Sequence, residues 1–272
     1  MMSLRKSKFL LTMMLFGYAF LYLPILTLIG YSFNQGPRVT LWTGFSTKWY
    51  ASLFANERIL EAVWLSLRIA FCAATIAVIV GVIAAFVLAR FRRFRGRSFF
   101  NGIVTAPLVM PDVMSGLALL LMLVFLEQLI GWPQTRGGVT IALGHITVSI
   151  AYVLVIVRSR LLEMDYALEE AALDLGARPL GVFFRITLPL IFPSIGAGWL
   201  LAFTLSLDDV VLASFLSGPG ATTLPMLVFS SIRFGISPEI NALATIIVCL
   251  VATGVLISGY ILYRQLRQAS KA

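Results

Sequence analysis

Charge is what this chain has least of. Asp, Glu, Lys and Arg make up 12% of its 272 residues, about half the share of an ordinary soluble domain. Histidine occurs once, at His145, and cysteine twice, at Cys72 and Cys249, each inside an apolar run. One histidine and no cysteine pair argue against an ordinary metal site or a histidine-based triad. The two cysteines are expected as packing residues, with no disulfide between them. No Gly-x-x-x-x-Gly-Lys-Ser/Thr stretch is present, so the chain has no P-loop for a nucleotide. No nucleophile is found with an orienting base, which leaves catalysis within the chain without machinery. No metal site and no cofactor of its own are expected.

What is present is apolar. Hydrophobic residues reach 60% and the mean hydropathy is +0.95, values that describe an all-α integral membrane protein of one domain. Six runs are long enough to cross a hydrocarbon core of about 30 Å at about 1.5 Å per residue. They cover about residues 9–33, 62–89, 99–126, 139–157, 193–216 and 242–263. Residues 1–8 and 264–272 are then tails, and 158–192 is a long polar loop. The first run is too long for a cleavable signal and lacks a small-x-small site, so it is expected to be retained. Residues 226–232 are apolar but too short to span, and read as either re-entrant or surface-lying.

The net charge of +9 raises nucleic acid as a partner, but topology accounts for it better. Arg5, Lys6 and Lys8, the five arginines of 90–97, Arg158, Arg160, Arg178 and Arg185, and Arg264, Arg267 and Lys271 fall on one side of a six-span layout. Only Arg38, Lys48, Arg58, Arg136 and Arg233 fall on the other. The excess of Lys and Arg marks the first side as cytoplasmic. Both termini and the 158–192 loop are expected there. Arg68, inside the second run, is read as snorkelling to the interface.

The loop carries five of the twelve acidic residues and reads as two short amphipathic helices. Leu168, Ala171, Ala172 and Leu175 share one face of the first, and small alanines let another backbone approach closely. Gly176 stands where a helix takes a left-handed last residue, and Pro179 suits the first turn of the next helix. Leu180, Phe183, Phe184, Thr187 and Leu188 form a second stripe, ended by Pro189.

The loop resembles the "EAA" loop of permease subunits in bacterial binding-protein-dependent ABC importers. That pattern is Glu-Ala-Ala, three residues, Gly, nine residues, then Ile-x-Leu-Pro. Here it is Glu170-Ala171-Ala172, Gly176 and Ile186-Thr187-Leu188-Pro189, with every spacing kept. The segments 106–112, 205–209 and 217–225 resemble the polyamine branch, and best of all the second permease of putrescine importers. The resemblance implies a type I ABC importer permease fold with a cytoplasmic coupling helix in the inner membrane. It also implies a second, homologous permease, two copies of an ATPase subunit that hold ATP and Mg, and a periplasmic solute-binding protein. Glu169, Glu170, Ala171, Ala172, Gly176, Ile186, Leu188 and Pro189 would then form the ATPase-coupling surface, with the two glutamates as charge partners.

Acids inside a membrane are functional candidates because an ionised group there costs roughly 2.5–3.5 kcal/mol. Asp112, Asp208 and Asp209 qualify, and counting residues along their spans puts Asp112 and Asp208 at similar depth. They either line a pathway for a diamine or cap local breaks in their helices. His145 is expected as a hydrogen-bonded packing residue in preference to a proton relay. Trp42, Trp49, Tyr50, Phe229 and Phe234 read first as an interfacial belt and second as a docking or stacking surface. Two other functions stay open. One is the same family with spermidine or another small solute; the other is an ion-driven secondary transporter, for which no inverted repeat is evident.

Overall fold

The computed structural model describes residues 4–38, 41–91, 93–234 and 237–269. Arg92 and Lys271, both counted in the charge asymmetry, lie outside the described residues. The described backbone is helical, with one isolated antiparallel bridge between Asn34 and Phe45. Among the described residues six helices are long and apolar enough to cross a membrane. Two compact units are resolved, one of Met1–Leu60 with Ser230–Ala272 and one of Glu61–Phe229.

In the first unit α1 (Leu4–Ser32) packs beside α12 (Pro238–Ala269), and α12 also meets the short α2 (Lys48–Ala55). A buried amide organises the segment after α1. Asn34 donates through Nδ2 to the carbonyls of Leu41 (2.7 Å) and Arg38 (3.1 Å), and its Oδ1 accepts the N–H of Thr43 at 2.9 Å. Glu239 ties α12 to α2 by accepting from Ser52 Oγ and, at 2.8 Å, from Asn56 Nδ2. Two residues of the aromatic belt are spent on this unit. Trp49 donates to the Asn34 carbonyl at 2.7 Å, and Tyr50 shares a hydrogen bond of 2.7 Å with Ser32. The side chain of Phe234 lies outside the described residues.

The second unit holds most of α3 (Glu57–Arg90), then α4 (Arg97–Thr105), α5 (Asp112–Ile130), α6 (Gly138–Glu163) and α7 (Ala167–Asp174). After these come α8 (Pro179–Val182), α9 (Leu188–Asp208), α10 (Val211–Leu216) and the first part of α11 (Leu224–Phe234). Its core lies where α3, α6 and α9 meet. Ala74, Ala77, Ala84, Ala85 and Leu88 of α3 face Val153, Leu154, Val157 and Leu161 of α6, with Ile191 and Ala202 of α9 alongside. Lipid is as apolar as leucine, so such helices gain by close backbone approach over small residues. Gly81 marks one such close approach: a Cβ there would sit 2.8 Å from Val153 Cγ1.

Several helix bounds differ from those expected. The run at 99–126 is not one helix. α4 passes into a 3₁₀ turn at Ala106–Leu108, Pro111 is extended (ψ 140°), and α5 begins at Asp112. Pro107 and Pro111 bring no N–H to a helical ladder, which is why the backbone breaks between them. The run expected to start at 193 starts earlier. Pro179–Val182, a π turn at Phe183–Thr187 and α9 form one continuous helical stretch in which Pro193 is internal. Pro189 therefore opens α9 and does not end the second loop helix. Having no N–H, it leaves the Arg185 carbonyl without its usual donor, and the preceding backbone widens so that Leu188 N–H reaches Phe183 O. Residues 226–232 lie within α11, an 11-residue helix. Cys72 and Cys249 are free and exposed, so they are not packing residues. Arg68 lies with its guanidinium 4.7 Å from the Trp64 ring centroid.

Candidate functional site

The break between α9 and α10 builds a polar site. Asp208 is the last residue of α9, and Asp209 is extended (φ −69°, ψ 127°). The Asp209 carboxylate accepts the N–H of Leu212 at 3.3 Å and of Ala213 at 2.8 Å, so it caps the first turn of α10. Its Oδ2 also lies 3.1 Å from His145 Nε2, and His145 Nδ1 lies 2.6 Å from Ser206 Oγ. A carboxylate only accepts, so Nε2 donates, and in a neutral ring Nδ1 takes the serine proton. His145 is 4% exposed and thus held at both nitrogens. This is the hydrogen-bonded packing residue expected of it.

Above this pair opens a cavity of about 380 Å³, lined by Asp112, His145, Ser149, Tyr152, Ser206, Asp208 and Asp209 with apolar residues between them. Asp112 and Asp208, on different helices, reach the same cavity, as their similar depth suggested. Both are exposed, and neither has a hydrogen-bond or ion-pair partner from another described residue. Asp112 also stands in the first turn of α5, where the helix dipole favours a carboxylate. No Lys or Arg lines the cavity. Among the described residues no three His, Cys, Asp or Glu side chains are placed to hold a metal. The chemistry on offer is that of an uncompensated anionic cavity open to an organic cation, with a phenol ring and hydroxyls as neutral contacts.

The three acids thus separate. Asp208 and Asp112 are free to meet a ligand; Asp209 is engaged by His145 and by α10. Ser149, Tyr152 and Ser206 were not singled out in the sequence. A signal existed for two of them: positions 145, 149 and 152 are spaced i, i+4, i+7 and so share one face of α6.

The loop after α6 forms the second feature. At its glycine, Gly176 adopts φ 84°, and the chain closes with Ala177 N–H on Ala172 O (3.0 Å) and Gly176 N–H on Leu173 O (2.9 Å). That pair of bonds is a Schellman cap. The adjacent glutamates point to opposite environments. Glu170 is exposed, whereas Glu169 is 6% exposed and makes a 2.6 Å ion pair with Arg90. Glu169, expected as a charge partner for another subunit, is therefore spent inside the chain. Facing outward are Ala171, Leu168, Leu175 and Leu180, with Leu175 89% exposed. Ala172, Ile186 and Leu188 are half-buried and Pro189 is exposed. The second stripe splits, with Leu180 and Phe184 outward and Thr187 buried.

Residues 77–271 match the model of a family described as binding-protein-dependent transport system inner membrane component. The chain is 57% identical over 263 residues to the putrescine transport system permease protein PotI of Escherichia coli K12, covering 97% of this chain and 94% of that one. It is 41% identical over 233 residues to the spermidine/putrescine transport system permease protein PotC of the same strain, covering 86% of each. Among solved structures, a chain of a bacterial ABC transporter involved in import of the acidic polysaccharide alginate superposes with a TM-score of 0.70. The two are 17% identical, and the match covers 96% of this chain and 98% of that one.

Proposed function

Because the chain belongs to the family of binding-protein-dependent transport system inner membrane components, we propose that it forms half of an ATP-driven import pathway for a polyamine, with putrescine as cargo. The observation that carries the cargo is the pair of carboxylates, Asp112 and Asp208, which have no partner from another described residue and share a cavity without a basic lining residue. A diamine has an ammonium at each end. Leaving water for a low-dielectric path is costly for either charge unless an opposite charge replaces the lost hydration. Tyr152 adds an aromatic ring to the same lining, a group able to attract a cation.

The second half of the pathway comes from a homologous permease. The exposed apolar face of α7 and α8, with Glu170 beside it, is the docking surface for a cytoplasmic ATPase subunit. Two copies of that subunit hold the ATP and Mg, and a periplasmic binding protein delivers the substrate. Both termini and the 158–192 loop face the cytoplasm, a reading the excess of Lys and Arg on that side supports. Spermidine is the second reading, supported by the 41% identical relative named for both polyamines.

The test is uptake of labelled putrescine by the complete transporter in proteoliposomes, with ATP supplied on the ATPase side. The reading expects uptake that needs the ATPase subunit and survives collapse of ion gradients, with unlabelled putrescine competing better than spermidine. Uptake driven by an ion gradient without the ATPase would overturn it.

A further inference from the structure

The ion pair between Glu169 and Arg90 joins four parts of the second unit at one point. Glu169 lies on α7, one residue before the outward-facing Glu170. Its Oε1 accepts from Arg90 Nη2 at 2.6 Å and from Thr187 Oγ at 2.9 Å. Arg90 is the last residue of α3, and Thr187 closes the π turn that leads into α9. The other guanidinium nitrogen, Nη1, donates to the Leu161 carbonyl near the end of α6 at 3.2 Å. The Tyr166 ring, just before α7, lies 5.1 Å from the guanidinium carbon. The Arg90 and Glu169 side chains are 12% and 7% exposed, and Arg90 Nε is buried with no partner among the described residues.

We propose that Glu169 and Arg90 form a latch that carries movement of the docking helix α7 into the ends of α3, α6 and α9. This rests on the importer reading above. The physical reason is the division between adjacent glutamates. One face of α7 is left bare for a partner, and the opposite face is bound by short, buried, charge-assisted hydrogen bonds, the kind that resist extension best. A helix attached only by apolar contacts could slide when pushed. A guanidinium that grips a carboxylate with one nitrogen and a backbone carbonyl with another fixes direction as well as distance. Glu169 and Arg90 are thus positioning residues. They touch neither nucleotide nor substrate.

The experiment uses the complete transporter in proteoliposomes and reads subunit composition, ATP hydrolysis and putrescine uptake on the same samples. Glu169→Gln keeps the side-chain size and removes the charge; Thr187→Val removes one donor to the same carboxylate without adding a buried charge. The latch expects Glu169→Gln to assemble with the ATPase and keep its hydrolysis within about twofold, while uptake per ATP falls about fivefold or more. Thr187→Val should show the same change to a smaller degree. Unchanged uptake per ATP in an assembled Glu169→Gln transporter would overturn the latch, as would hydrolysis and uptake falling in proportion. If Glu169→Gln fails to assemble, a wild-type ratio in Thr187→Val overturns it equally. Uptake that proceeds without the ATPase subunit sinks the importer reading itself, a separate outcome.

Discussion

One carboxylate oxygen of Asp209 serves two helices at once: Oδ2 lies 3.1 Å from His145 Nε2 on α6 and 2.8 Å from the Ala213 N–H of α10. Asp208, its neighbour, has no such partner among the described residues. Two acids consecutive in sequence are therefore expected to fail differently when neutralised.

Asp208→Asn should leave the melting temperature of the purified subunit unchanged and lower putrescine uptake roughly ten- to a hundredfold, the size of one charge-assisted contact. Asp209→Ala should lower both. It removes a helix cap worth about 1 kcal/mol and leaves His145 without its acceptor, a further cost of about 1–3 kcal/mol. Thermal unfolding and uptake measured side by side decide this; equal loss of stability in both variants would refute the division.

Leu175, the residue that caps the end of α7, is 89% exposed. Leu175→Asp should change the stability of the isolated subunit by no more than about 0.5 kcal/mol, as expected for a surface position. It should nonetheless abolish co-purification with the ATPase, because a charge without a partner would enter a close apolar contact. Retained co-purification would place the docking surface elsewhere.

Gly176 has φ 84°, and nothing lies within 4 Å of where a Cβ would stand. Space is available, so any penalty for Gly176→Ala comes from the backbone alone, about 1–2 kcal/mol. Gly176→Asn should cost less than Gly176→Ala, since asparagine tolerates the left-handed region better. A larger loss for asparagine would show that the Schellman cap is not what limits the site.

At Gly81 the balance is opposite. Its backbone is ordinary, but Val153 occupies the space a Cβ needs, and the Ile150 carbonyl is 3.3 Å away. Gly81→Leu should push α3 from α6 and destabilise by about 1–3 kcal/mol or more, read as a lowered melting temperature in detergent. A neutral result would mean the crossing can relax.

Much of this was legible in the sequence because it depends on local chemistry. Apolar runs without charge specify membrane-long helices wherever they occur, and the left-handed Gly176 follows from the residue's missing Cβ. The break at Asp208-Asp209 was one of two readings open for those acids, and the structure ends α9 there. What could not be read depends on partners remote along the chain. Glu169 and Glu170 are the same residue type on the same helix, and only Arg90, 79 residues earlier, decides which one turns inward. The prolines at 107, 111, 189 and 193 look alike in the sequence. Two lie at a break, one opens α9 behind a widened turn, and one sits inside it. Whether neighbouring backbone can take up the missing hydrogen bond settles which, and that is a property of the packed helix.

The widened turn before Pro189 has a mechanical consequence. By absorbing the proline without a break, it lets one helical stretch run from Pro179 to Asp208, 30 residues and about 45 Å at 1.5 Å per residue. Leu180 of the bare apolar face stands at one end of this rod and Asp208 of the anionic cavity at the other. A tilt of about 5° at the first end displaces the second by about 4 Å, more than the length of a hydrogen bond. A push on the Leu180 end would thus reach the cavity as a displaced Asp208 carboxylate.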